Sequence, residues 1–261
     1  MRLNSTKFLL LLTVIVGAMI PQFSFAAEGG VAGGGGGNSI LCNDGKYYSY
    51  DFILTQKTQG RMNQAFRNMR DPIEMLRAIQ RTMAFKIPAM ANSLNDFISS
   101  LQSSEFDVSP LGGGRIWIPG LNPLAPLGDE SRLRVPSMCL DNRGEPKIYQ
   151  TVIRFENESH VVQYNFDERQ VLALRQNGAL QVSFLYIHEW LRDYIQDAMV
   201  IMNIDRMLHE EGWITATPEG VLSALRRYGM NTNDLVPYGG LRAVADPLAP
   251  LPASPGTPRQ L

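Results

Sequence analysis

The sequence predicts an α+β fold, in which a small antiparallel sheet stapled by one disulfide packs on a mainly helical body. Three observations predict it. Short β-rich runs flank turn sequences in two places, near residue 45 and near residue 157. Apolar residues recur at helical spacing in several longer segments. The two cysteines, Cys42 and Cys139, each lie close to one of the β-rich regions.

The N-terminus has the three parts of a secretory signal peptide. Arg2 and Lys7 form the positive region, residues 8–20 are apolar, and Ser24 and Ala26 are small residues at −3 and −1 of a cleavage site. The apolar run is shorter than the roughly 20 residues that a membrane span requires. We therefore expect a signal peptide over the first 26 residues, export through the Sec pathway, and a periplasmic or secreted mature chain with no transmembrane segment.

The mature chain is nearly balanced in charge. Loss of Arg2 and Lys7 reduces the 24 basic residues to 22, against 25 acidic residues, so the formal charge becomes −3. This value gives no indication of a nucleic acid or an anionic membrane as partner. In an exported chain, an even pair of cysteines favours a disulfide between Cys42 and Cys139, with two buried free thiols as the alternative.

The ends of the mature chain differ in composition from its middle. The glycine-rich residues 27–39 predict a flexible leader, and a single α+β domain is expected over residues 40–234. The domain begins with one or two strands over residues 40–54, around an Asp-Gly turn that ends at Gly45. Residues 235–261 contain six prolines and predict a disordered tail.

A helical and basic region follows over residues 57–86. Asp71 can cap a helix that has Pro72 in its first turn, and Pro88 separates this helix from a second amphipathic one. The apolar positions at helical spacing are Ile73, Leu76, Ile79, Met83 and Ile87, then Met90, Leu94, Phe97, Ile98 and Leu101. The arginines lie mostly off this stripe, which indicates a solvated face or, alternatively, a docking surface for an acidic partner.

The middle of the chain changes from irregular to extended. Residues 107–137 contain five prolines and five glycines, so a long irregular loop is expected there. Residues 147–155 and 160–166 then form a predicted strand pair. A bridge from Cys42 to Cys139 would join this sheet to the N-terminal strands.

The rest of the domain is predicted to be helical. After a short helix and a break at Gly178, residues 179–202 form the longest apolar helical pattern of the mature chain. The helical segment after it ends at Gly212, a natural C-cap, and a last helix runs from a cap at Thr217 to Gly229.

The long apolar helix contains His188 and Glu189, in the stretch FLYIHEWLRDY. These are the first two letters of the zinc-peptidase signature HExxH, in which two histidines four residues apart bind the ion and the Glu activates its water. Arg192 replaces the second histidine and cannot ligate a cation. A metal site would require that the fold bring His188 together with His209 and with His160 or a carboxylate.

Three interpretations of this helix remain open. A histidine on a mostly buried helix is commonly a core residue whose ring nitrogens bond to backbone or carboxylate. The alternatives are a metal or acid/base site and an interface. His188 and Glu189 are thus candidates for catalysis, and His188, His209 and His160 are candidate metal ligands, while none is assigned. The sequence contains no GxSxG motif and no phosphate-binding glycine loop.

Four short motifs occur in order along the chain: GGGGGNSILCNDG at the first cysteine, VPSMC at the second, the strand KIYQTVIRF, and LYIHEWLR in the long helix. In this order, over roughly residues 1–215, the chain resembles uncharacterised secreted proteins of predatory Gram-negative (Bdellovibrio-type) bacteria. The resemblance implies secretion and no established activity. The loop at 107–137 and the proline-rich tail look like additions to that pattern.

These features favour a non-enzymatic exported protein, periplasmic or associated with the cell envelope, that acts through contacts with protein partners. We expect no cofactor and no nucleic acid. The alternative is a zinc-dependent or acid/base hydrolase centred on His188 and Glu189, with zinc as its cofactor.

Overall fold

The computed structural model of the protein describes residues 37–57, 62–102, 114–120, 135–156 and 161–232. Two three-stranded sheets pack with a mainly helical body, which confirms the α+β class. The strands are β1 (Asn38–Leu41), β2 (Tyr47–Ser49), β3 (Arg115–Gly120), β4 (Lys147–Gln150), β5 (Val152–Glu156) and β6 (Val162–Asp167). The helices are α1 (Tyr50–Lys57), α2 (Gln64–Asn68), α3 (Pro72–Ala84), α4 (Pro88–Gln102), α5 (Glu168–Gln176), α6 (Ala179–Leu191), α7 (Ala198–His209), α8 (Glu211–Thr215) and α9 (Pro218–Arg227). The predicted signal peptide and proline-rich tail lie outside the described residues.

The first sheet is antiparallel, with strand order β2-β1-β4. The hairpin between β1 and β2 is confirmed, and Gly45 provides the positive φ of 75° in its turn. The prediction of a flexible leader over residues 27–39 is wrong at its C-terminal end, because Asn38 and Ser39 already belong to β1 and are buried. Within residues 40–54, the extended chain ends at Ser49 and α1 follows directly.

The second sheet is mixed, with strand order β3-β6-β5 and β3 parallel to β6. The prediction of an irregular loop over 107–137 is therefore wrong for β3, whose Pro119 is tolerated because β3 is an edge strand. The predicted strand over 147–155 divides at Thr151, so that β4 joins the first sheet and β5 the second. The backbone N–H groups of Thr151 and Val152 both donate to the Gly37 carbonyl, which fixes this change of sheet.

The helical pair α3 and α4 forms as predicted. The Asp71 side chain accepts a hydrogen bond from the Ile73 N–H and Pro72 occupies the first turn. The two apolar stripes face the core, and Pro88 begins α4. The last helix is also confirmed, with the Thr217 hydroxyl capping α9.

The long helix predicted over 179–202 is interrupted. It ends at Leu191, and α7 starts only after Asp197, whose carboxylate accepts hydrogen bonds from the N–H groups of Met199 and Val200. Gly212 is not the C-cap that we expected, because α7 ends at His209 and Gly212 lies inside the short α8.

The core has two parts. The larger part lies between α3, α4, α6, α7 and the second sheet, with Trp190 and Tyr164 among its largest buried side chains. The smaller part surrounds the disulfide between Cys42 and Cys139, which is formed as predicted and packs against Ile40 and Ile53. Within the described ranges, no helix is long and apolar enough to cross a membrane.

Candidate functional site

Helix α6 carries the candidate catalytic pair and is buried along almost its entire length. A helix that is apolar on every side lies inside a protein rather than on its surface. Four polar residues nevertheless interrupt its apolar sequence and are themselves buried: Gln181, Ser183, His188 and Glu189. Their partners determine what the helix can do chemically, because a buried polar group requires a hydrogen bond.

His188 is enclosed between α6 and α1. Only 2% of its surface is exposed, and its Nδ1 lies 2.9 Å from Oδ2 of Asp51, which is equally buried. Asp51 accepts this hydrogen bond from the ring. The sequence did not identify Asp51 as a partner, because it lies in a segment predicted to be extended, whereas it is the second residue of α1.

His209 occupies a second enclosed position, on α7. Its Nδ1 lies 2.9 Å from the backbone carbonyl oxygen of Asp205, and because a carbonyl can only accept, Nδ1 carries the hydrogen. Nε2 therefore accepts from the Ser183 hydroxyl, at 2.8 Å. The ring stacks on Phe184, with 4.0 Å between the ring centroids.

Burial lowers the pKa of His209 to about 4, from an ordinary value of 6.5. A group that binds its proton more weakly in the folded state makes unfolding easier as pH falls, since the unfolded chain takes up the proton first. The contribution of His209 to stability is therefore complete above pH 6.5 and decreases between pH 6.5 and about 4.

Asp205 connects the two histidines. Its carboxyl Oδ1 is 3.0 Å from Nδ1 of His209, and Asp51 is its neighbouring carboxylate. Burial, and then the charge and hydrogen bonding of Asp51, raise the pKa of Asp205 well above its usual value. The result is a continuous line of buried polar groups from Ser183 through His209, Asp205 and Asp51 to His188, which links α6, α7 and α1.

The order of hydroxyl, imidazole and carboxyl in Ser183, His209 and Asp205 is that of a serine-hydrolase triad. One observation separates this arrangement from a working triad. All three side chains are fully buried, so the hydroxyl is not accessible from solvent.

Glu189 points to a different part of the protein from His188. Its Oε1 lies against Gly37, where a Cβ would come within 2.1 Å of it, and its Oε2 has no hydrogen-bond partner within the described part of the chain. Burial raises the pKa of Glu189, although the charges of Arg192, His188 and Arg154 lower it in part. The two residues of the HE motif therefore do not converge on one point.

A buried ion cluster lies beyond the end of α6. Asp193 is fully buried and forms ion pairs with Arg115 of β3 and with Arg154 of β5, the latter at 3.0 Å. The cluster joins the interrupted helix to the second sheet. Sequence reasoning missed it because Arg115 lies in a segment predicted to be irregular. Val152 and Arg154 are two residues apart on β5, so their side chains share one strand face with a buried apolar residue. That pattern was the available signal that Arg154 has a partner inside the protein.

The two candidate metal ligands that the structure describes, His188 and His209, do not share a metal site. Among the described residues, no group of three or more His, Cys, Asp or Glu side chains could hold a metal ion. Both ring nitrogens of His209 are already engaged, and Nδ1 of His188 bonds to Asp51. His160 lies outside the described residues.

The cavity at the end of α9 does not reach the histidines. A cavity of about 340 Å³ opens between the α6–α7 loop and the end of α9, where Tyr194, Asp197 and Met230 line it. His188, Glu189 and His209 are not among its lining residues.

No family model, no curated protein and no solved structure matches the chain.

Proposed function

We propose that the chain is an exported, non-enzymatic protein of the cell envelope that acts through contacts of its surface with a protein partner. The observation that carries this proposal is the enclosure of the chemically suggestive side chains. His188, Glu189 and His209 are each at most 2% exposed. The hydrogen bonds of the two histidines connect helices of the core instead of facing a cleft.

Export is supported by the signal-like N-terminus and by the disulfide. A bridge between Cys42 and Cys139 persists in an oxidising compartment such as the periplasm. The resemblance to secreted proteins of predatory bacteria agrees with this proposal.

Several exposed apolar side chains are available for protein contact. Leu172 on α5 is 49% exposed and Met199 on α7 is 42% exposed. A single exposed apolar side chain is ordinary, so the partner has to be sought by experiment.

The test is photo-crosslinking in living cells that export the full chain. A photoreactive amino acid replaces Leu172 or Met199 in separate variants, and exposed Glu219 on α9 serves as the matched control position. We expect a discrete adduct with one envelope protein from an apolar position and none from Glu219. Absence of a discrete adduct from both apolar positions would contradict the proposal, as would a hydrolytic activity of the purified protein that His188→Gln abolishes.

A further inference from the structure

The turn between α3 and α4 presents an apolar tip to solvent. Phe85, the residue after the last turn of α3, is 85% exposed, the largest exposure among the big apolar side chains that the structure describes. Ala84, Pro88 and Ala89 around it are also exposed. We call these four residues the α3–α4 tip. An aromatic ring left in water at this position gives up the free energy that burial would provide.

The two residues that follow Phe85 in the chain are fixed by contacts with the rest of the protein. Ile87 is buried in the core, and Lys86 lies over the Trp213 ring with its Nζ 5.6 Å from the ring centroid. The same Nζ donates to the backbone carbonyl of Ile214, at 3.2 Å. With its two C-terminal neighbours fixed in this way, Phe85 projects outward. Ile214 on α8 adds a second apolar side chain close to the tip and is 48% exposed.

The segment of chain that forms the tip is basic. Residues 75–95 contain three basic side chains, Arg77, Arg81 and Lys86, and no acidic one. Arg77 and Arg81 are exposed and precede Phe85, the C-cap of α3, at intervals of four residues, so the three positions follow one face of the helix. The Arg77 Nη2 also donates to Gln102 Oε1, at 2.8 Å. The acidic residue of α8, Glu211, lies about one turn behind Ile214. This local excess contrasts with the nearly balanced charge of the whole chain.

From this arrangement we propose that the α3–α4 tip is a peripheral binding site for an anionic lipid surface. Phe85 enters the boundary between headgroups and acyl chains, Arg81 meets lipid phosphates, and Arg77 attracts the anionic surface from just outside them. The proposal goes beyond the proposed function, since it assigns a lipid surface and not a protein partner, and it stands independently of the crosslinking result.

The spacing along α3 fits the layers of a bilayer. With a rise of about 1.5 Å per residue, Arg81 lies about 6 Å behind Phe85 and Arg77 about 12 Å behind it. The headgroup layer on each side of a membrane is about 5–8 Å thick. When Phe85 reaches the acyl boundary, Arg81 is therefore level with the phosphates. Arg77 is just outside them, within a Debye length of about 8–10 Å.

The shape of the tip favours a lipid over an acidic protein. It is a convex turn at the end of a helical hairpin, and its only large side chain is one ring. A fluid bilayer accommodates a single projecting ring without a matching pocket, and nearby Lys and Arg residues strengthen attachment to anionic lipids. A protein partner would instead have to supply a pocket of complementary shape.

The test is co-sedimentation of the purified full-length mature chain with vesicles of phosphatidylcholine alone or mixed with phosphatidylglycerol. The variants are Phe85→Ser and the double variant Arg77→Gln/Arg81→Gln. The matched controls are Leu172→Ser, an exposed apolar residue elsewhere, and the double variant Arg143→Gln/Arg227→Gln, which removes the same charge from other surfaces. Circular dichroism verifies that each variant remains folded.

We expect binding to the anionic vesicles only, weakening as salt is added. Phe85→Ser should reduce the affinity at least about tenfold, and the double arginine variant by a similar factor, while each control stays within about twofold of the parent. Equal binding to neutral vesicles, absence of binding, or equal losses in the tip variants and their controls would overturn the proposal. A photoreactive amino acid at position 85 gives a further test in cells. A discrete adduct with an acidic protein from that position, together with no vesicle binding, would overturn the proposal in favour of a protein partner.

Discussion

Replacement of Asp193 by Asn should destabilise the protein severely. The change removes one buried negative charge and leaves the guanidinium groups of Arg115 and Arg154 without their ion pair. The side chain of Arg115 is 6% exposed and that of Arg154 is 14% exposed, so water can compensate only in part. Removal of one partner of a buried ion pair lowers the free energy of unfolding by about 3–5 kcal/mol. The whole free energy of unfolding of a domain is roughly 5–15 kcal/mol.

Urea denaturation followed by tryptophan fluorescence measures this loss. The free energy of unfolding falls by about 2 kcal/mol per molar urea, so the urea concentration at the unfolding midpoint of Asp193→Asn should be lower by roughly 1.5–2.5 M. Asp197→Asn is the matched control. It makes the same chemical change in the same loop, but Asp197 is exposed and an Asn can still cap α7. A midpoint for Asp193→Asn equal to that of the control would refute the reasoning about this cluster.

Three further predictions concern single residues. Gly37→Ala should destabilise the fold by about 1–3 kcal/mol, because its Cβ would lie 2.1 Å from Glu189 Oε1, and Glu189→Ala should recover part of that loss in a double-mutant cycle. His209→Gln should flatten the decrease in stability between pH 6.5 and about 4, measured by urea denaturation across that range; an unchanged slope would argue against the lowered pKa. Cys42→Ser should cost about 4–5 kcal/mol and alter mobility on a non-reducing gel, whereas unchanged mobility would argue against the bridge.

Several local signals of the sequence predicted local structure correctly, although the C-cap expected at Gly212 was wrong. The cap at Asp71, the break at Pro88 and the turn at Gly45 lie where their residue types indicated. These features depend on hydrogen bonds between residues close in the chain, so the identity of one or two side chains decides them.

Features that depend on distant partners were harder to predict. The apolar pattern over 179–202 continues through the break after Leu191, and only the burial of Asp193 between Arg115 and Arg154 shows why the chain turns there. Similarly, no local pattern indicates that the chain changes sheets at Thr151, because that change depends on the distant Gly37 carbonyl.

In the candidate site too, local features were predictable and contacts with distant residues were not. The sequence predicted a polar pair on a buried helix, and His188 and Glu189 are buried together. It could not predict that they face different partners, since Asp51 on α1 approaches His188 while Gly37 approaches Glu189. The spacing of Asp205 and His209, four residues apart, was the available signal for the second half of the polar line.

The central proposal is that the polar side chains of α6 act in the core, as links between helices, and not as a metal or catalytic centre. Elemental analysis of the purified protein, combined with thermal denaturation with and without a chelator, tests it most directly. We predict no stoichiometric zinc, no effect of the chelator on the melting temperature, and a lower melting temperature for His188→Gln, which loses the bond to Asp51. One zinc ion per chain that disappears in His188→Gln would contradict the proposal.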